Sequence, residues 1–236
     1  MDALARVAPI ARPLLRDVDD VLATLGAPAE HPVWALLRRL RTTPADAVIF
    51  FADLTPERLR LPASTLRELA MIYDNAIIPH VLPWENSVAD LYTASATAFD
   101  RHVRSSDGVH SLAGRLRATA SYVDGVAGWC QRSRDNLART VAQTMTSSQA
   151  VTVRSFPTVG RGLAEMMRVA DSSGDLAGAV TAAADIGAAI LGVAEDAAVA
   201  AHNVHHDTAG SLAELVFRAP AQNDPTRHDG TIRLHH

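Results

Sequence analysis

Cysteine is almost missing from this chain. Cys130 is the single one in 236 residues, so no intramolecular disulfide can form. That alone leaves the compartment open, because exported proteins also exist without disulfides. A lone cysteine on an apolar helical face is ordinarily a core residue and not a reactive thiol. Aromatic residues are scarce as well, at 5% of a chain whose apolar fraction is 48%. The core must then be built from alanine with scattered Leu, Ile and Val. Alanine loses no side-chain entropy in a helix and lets helix axes come close. Such a composition favours helix-on-helix packing over stacked β-sheets.

Positive charge is not in excess. There are 22 basic and 26 acidic residues, for a net charge of −4. The basic residues, arginine throughout, are spread along the chain. A nucleic-acid binder would carry a basic stripe, so no nucleic-acid partner is expected. The opening MDALARVAPIARPLLRDVDD is not a secretory leader, since Arg6, Arg12 and two prolines interrupt any apolar stretch. The expected location is either the cytoplasm or the outside by a route that needs no signal peptide. The most apolar window, residues 177–195, holds Asp185 at its centre and ends at Glu195 and Asp196. A charge at mid-membrane costs about 3 kcal/mol on insertion scales. The window therefore reads as a buried helix, and no transmembrane segment is expected. A chain of this length is one large domain or two small ones.

Helical spacing dominates what is present. Leu14, Leu15, Val18, Val21 and Leu22 recur at three and four after Pro13. GAPAEHP, residues 26–32, is a turn, and WALLRRLR, residues 34–41, a short amphipathic helix. Thr43 followed by Pro44 reads as an N-cap with proline at the first helical position, opening a helix through AVIFFADL. Thr65 and Glu68 make a capping-box pattern for a helix starting near Ala63. Its stripe is Leu66, Leu69, Ile72, Tyr73, Ala76 and Ile77, and Pro79 and Pro83 end it. Ser87 caps another, with Val88, Leu91, Tyr92, Phe99 and Val103 on its apolar side. A third run extends from Val109 to Met145, where Gly114, Gly125 and Gly128 are points at which it is expected to kink or split. Residues 146–162 show no helical stripe and read as a linker, with Val151 and Val153 alternating as in a short strand. A long helix begins near Leu176 and runs to His205 or beyond.

Between the proline-ended helix and the next lies WENSVADLY, residues 84–92. The chain must reverse here without stranding helix-end amides and carbonyls. Asn86 tolerates the left-handed conformation that such a turn needs. Trp84 can wedge between the two helices while its N–H finds a partner. This segment resembles the W-x-G-S-A-A-D-x-Y stretch of the WXG family and its larger helical relatives in type VII (ESX) secretion. The Trp-to-Tyr spacing and the S-x-A-D core match. With the flanking helices the resemblance spans Ala63 to Met145, about a third of the chain. The family's glycine is Asn86 here. The family's Y-x-x-x-[DE] export signal is missing, because Tyr73, Tyr92 and Tyr122 are followed four residues on by Ile77, Ala96 and Val126. The alanine-rich, arginine-for-lysine composition looks actinobacterial, which fits such systems. The resemblance implies that Trp84, Asn86, Asp90 and Tyr92 shape a turn that a helical partner or a second copy recognises.

Catalytic constellations are not evident. There is no G-x-S-x-G elbow, and TVGRG at 158–162 lacks the G-K-[ST] ending of a phosphate loop. AHNVHHDTAG, residues 201–210, places His202 and His206 four apart on one helical face, the spacing that lets two imidazoles reach one divalent metal. Glu165, Asp171 and Glu195 are the candidate further ligands. No cofactor is otherwise implied.

These readings combine into an all-α protein, an elongated helical bundle built around a central antiparallel helical hairpin. The divisions are an N-terminal helical region at 1–62, the WXG-like hairpin and long helix at 63–147, a C-terminal helical region at 148–218, and a disordered tail at 219–236. The expected function is a non-enzymatic interaction protein acting by helix–helix association, which the resemblance implies is a type VII secretion-associated substrate or scaffold. The alternative is an intracellular helical metal protein or enzyme using His202 and His206 with nearby carboxylates.

Overall fold

The computed structural model describes residues 2–75, 112–156 and 175–213. Among these the chain is all-α: 89% of them are helical and none is in a strand. Seven helices follow in order: α1 (Ala3–Thr24), α2 (Val33–Leu40), α3 (Pro44–Asp53), α4 (Pro56–Asn75), α5 (Leu112–Met145), α6 (Ser148–Ser155) and α7 (Asp175–Ala213).

Helix α1 begins earlier than the spacing predicts and passes through both Pro9 and Pro13. Asp2 caps it, its Oδ1 accepting from the Ala5 amide at 2.8 Å. A proline inside a helix costs about 3 kcal/mol. Here both rings face solvent, where water can take up the freed carbonyls. Seven residues on the opposite side, including Leu4, Leu14, Val18 and Val21, are buried. At roughly 1.5–3 kcal/mol for each large aliphatic side chain, that burial outweighs the proline cost.

The turn at 26–32 and α2 fall where expected. Gly26 sits at φ 80° beneath the Trp34 ring, a backbone conformation only glycine adopts freely. The Thr43 cap of α3 is present, its hydroxyl accepting from the Asp46 amide at 3.2 Å. The capping box at Thr65 is not. Helix α4 already starts at Pro56 and runs through Pro62, and the Thr65 hydroxyl donates back to the Leu61 carbonyl at 3.2 Å. Helix α5 continues unbroken through its three glycines.

The expected linker and strand at 146–162 are corrected for the part described. Residues 148–155 form α6, capped by the Ser147 hydroxyl accepting from Ala150 N at 3.2 Å. Val153 is buried and Val151 exposed. Residues two apart lie 200° apart on a helix and 180° apart on a strand, so a three-residue alternation cannot separate the two.

Helix α7 is the hub, packing against α1, α2, α3, α5 and α6. The main core joins Leu14, Val18, Val48, Leu137, Val141, Val153, Ile190 and Leu191. Gly187 of α7 lets three elements converge, since a methyl there would lie 3.1 Å from Leu22, 3.2 Å from Val33 and 3.4 Å from Pro44. Two polar contacts align α2 along α7. His31 Nε2 lies 3.2 Å from Asp185, and Arg39 makes a two-pronged contact with Glu195 at 3.0 and 3.1 Å. Both residue numbers rise together, so α2 and α7 run parallel. By length and composition α7 qualifies as a membrane span over Leu176–Thr208, and 44% of its apolar window is buried within the fold.

Helix α4 packs on α5 differently. Leu54, just before α4, touches Arg134, while Arg67 pairs with Asp124. One number rises as the other falls, so the pair is antiparallel. At 100° per residue, Ala113, Ala120 and Ala127 lie within about 60° of Asp124 on α5, and Ala63 and Ala70 within about 60° of Arg67 on α4. All five are buried. The contact is thus an alanine seam with a seven-residue repeat.

Candidate functional site

The four residues singled out for turn and partner recognition, Trp84, Asn86, Asp90 and Tyr92, lie outside the described residues, as do the apolar side at 88–103 and the TVGRG stretch. What is described is the helix leading to them. The stripe expected to face a neighbour does not do so on α4. Leu69 and Ile72 are exposed, together with Leu61 and Met71. On the helix, Leu61 falls about 180° and Ile72 about 160° from Ala70. The alanines take the intramolecular contact, and the larger apolar side chains point away from it.

His202 and His206 do share a face of α7. Their ring centroids are 6.3 Å apart and both are exposed. The candidate acids do not join them. Glu195 is held by Arg39, and Glu165 and Asp171 lie outside the described residues. No group of three metal-ligating side chains occurs among the described residues.

The His31–Asp185 pair resembles half of a catalytic relay, but its free end is already used. His31 Nδ1 accepts from the Val33 amide at 3.2 Å, which leaves Nε2 to donate to Asp185. With both ring nitrogens engaged in docking α2, the imidazole has no position for a substrate proton.

Two features escaped the sequence reading. One is Arg134, 4% exposed. Its Nη1 donates to the carbonyls of Phe51 at 2.6 Å, Ala52 at 2.7 Å and Leu54 at 2.5 Å, closing the C-terminal end of α3. Its Nε donates to Asp2 Oδ2. A single guanidinium therefore links the start of α1, the end of α3 and the middle of α5. That hydrogen bond is the largest reason the Asp2 carboxyl is held below its usual 3.8. No sequence signal marked it, since 22 basic residues are scattered along the chain. The other is Trp129, whose indole N–H donates to the Ala197 carbonyl at 2.7 Å and whose ring lies 6.3 Å from Phe51.

Asp19 is the opposite case to Asp2. Its Oδ2 accepts from the Ala45 amide at 3.4 Å, and Oδ1 is buried without a hydrogen-bond partner. Burial pushes its pKa up to about 6 against partial compensation from the Thr43 hydroxyl and the Ala45 amide. Cys130 is buried, and desolvation pushes its thiol up, which keeps it an unreactive core group. Between α1 and α3 a cleft of about 220 Å³ is lined mainly by alanine and aliphatic side chains, with Arg12 and Asp53. It is smaller than the roughly 300–1,000 Å³ of ordinary small-molecule sites.

The class that the described residues define is therefore an all-α protein. Comparison with family models, with curated proteins and with solved structures found no match.

Proposed function

We propose that this protein is a non-enzymatic helical interaction protein, a type VII secretion-associated substrate or scaffold that works by helix-to-helix association. In this reading it is an elongated bundle built around a central antiparallel hairpin within 63–147. Trp84, Asn86, Asp90 and Tyr92 form the turn that the partner recognises. The partner is another helical protein or a second copy of the chain. The observation that carries the association reading is the outer face of α4. Leu61 is 72% exposed and Ile72 59%, on a helix whose intramolecular contact is made of alanine. A concentration of large apolar side chains on the solvent side of one helix is the feature that protein–protein contacts use.

The test is light scattering of the full chain, alone and mixed with any small WXG-type protein found encoded beside its gene. A defined complex or a concentration-dependent oligomer is expected, lost in Leu61→Glu/Ile72→Glu. A monomer under every condition contradicts the association reading. The hairpin is tested separately by Trp84→Ala. A loss of about 3 kcal/mol is expected for an indole clamped between helices, and a loss under about 0.5 kcal/mol contradicts it.

A further inference from the structure

We propose that His202 and His206 form a two-imidazole chelate for a borderline divalent transition ion of the Zn²⁺, Ni²⁺ or Cu²⁺ type. The inference rests on the register of α7 and is independent of the association reading. Val204, midway between the two histidines, is half-buried and lies where a methyl on Gly125 of α5 would be 3.4 Å from its Cγ1. Residues two away on either side are turned about 200° from it. The helix therefore presents His202 and His206 outward together, one turn apart, with ring centroids at 6.3 Å and planes 38° apart. Helix α7 continues to Ala213, and the Trp129 indole holds it to α5 at Ala197. The backbone thus fixes the pair before any ion arrives, and modest rotation of two exposed rings brings a nitrogen of each to the roughly 2.0–2.1 Å that a zinc bond needs.

His206 Nδ1 lies 3.9 Å from Asp207 Oδ1. That distance is beyond a hydrogen bond, so either nitrogen of the ring is free to turn toward the ion. Two neutral nitrogens select imidazole-seeking ions over Mg²⁺ and Ca²⁺, which take oxygen ligands. The remaining positions on the ion belong to water. His205 lies next in sequence but is turned about 100° from His206, so it is outside the pair.

The experiment is calorimetric titration of the full chain with Zn²⁺, with Cu²⁺ electron paramagnetic resonance as the second readout. All variants keep the other histidines, so the background is common. His202→Ala and His206→Ala are each expected to weaken Zn²⁺ binding by at least about tenfold, because the second ligation step is intramolecular only while both rings are present. His205→Ala is expected to leave binding unchanged. The Cu²⁺ spectrum of the wild type is expected to show two equivalent nitrogens, and that of His202→Ala to lose them. Circular dichroism confirms that each variant keeps its helix. Equal binding by wild type and His202→Ala, or loss on His205→Ala instead, overturns the proposal.

Discussion

Around the C-terminal half of α5, Leu137 and Val141 share a core with Leu14, Val18, Ile190 and Leu191, all nearly or wholly buried. Along its N-terminal half, the side toward α4 buries Ala113, Ala120 and Ala127 against Ala63 and Ala70. The same helix thus takes part in two kinds of packing. The first removes large aliphatic groups from water, at roughly 1.5–3 kcal/mol each. The second brings two backbones close but buries little more than one methyl per residue, about 0.8 kcal/mol each. The difference shows in what each region leaves outside. On α4 the seam keeps Leu61, Leu69, Met71 and Ile72 at the surface. A helix held by its small residues and exposing its large ones buries little apolar area for its length and is suited to a partner.

The comparison can be broken at several points. Arg134→Met carries the largest expected effect. It leaves the α3 carbonyls and the Asp2 carboxylate without their cation, and a loss of about 3–5 kcal/mol in urea unfolding is expected. Leu191→Ala, at a fully buried site, should cost about 3 kcal/mol by the same measurement. Ala120→Leu overpacks the seam and should cost about 1–3 kcal/mol. Its effect should concentrate in the exchange rates of α4 amides and leave α1 and α7 little changed. A global effect from Ala120→Leu would erase the distinction between the two regions.

Asp2, the cap of α1, and Asp19 within it sharpen the picture through pH. Asp19 holds its proton more tightly when folded, at about 6 against 3.8. Its contribution to stability is complete below about pH 3.8 and is lost as pH rises through 6. Asp19→Asn is therefore expected to stabilise at neutral pH, by roughly 1 kcal/mol after allowance for its partial exposure. The gain should vanish near pH 4. Asp2 is shifted the other way, so its contribution is present above 3.8 and lost as pH falls below that value. The smallest effect belongs to Leu61→Gln and Ile72→Gln. Stability should stay within about 0.5 kcal/mol of wild type, because those side chains already meet solvent. A larger loss would mean that the outer face of α4 is covered.

Much of the helical order was legible because capping and spacing are local. Thr43 with Pro44, the turn at Gly26 and the long run after Leu176 need no tertiary information. The misreadings came where tertiary burial overrode a local signal. Helical spacing was read only after Pro13 and again only from Ala63, yet helices pass through Pro9, Pro13 and Pro62, each ring facing solvent while the opposite side of its helix packs. Leu69 and Ile72 looked like an inward stripe because hydrophobic size was taken to mark the buried face. An alanine seam inverts that rule, and its period in Ala113, Ala120 and Ala127 is hidden in a chain where alanine is everywhere. Arg134 gave no signal at all, because what makes it special is the set of carbonyls that three distant segments bring to it. His202 and His206 were visible from spacing alone, while the failure of Glu195 to join them required the position of Arg39.

Native-state hydrogen exchange on the full chain tests the central contrast most directly. Amides of α4 are expected to exchange through a partial opening several kcal/mol below the global unfolding free energy, while those of α1 and the N-terminal half of α7 exchange only with global unfolding. Equal opening free energies for α4, α1 and α7 would contradict the account.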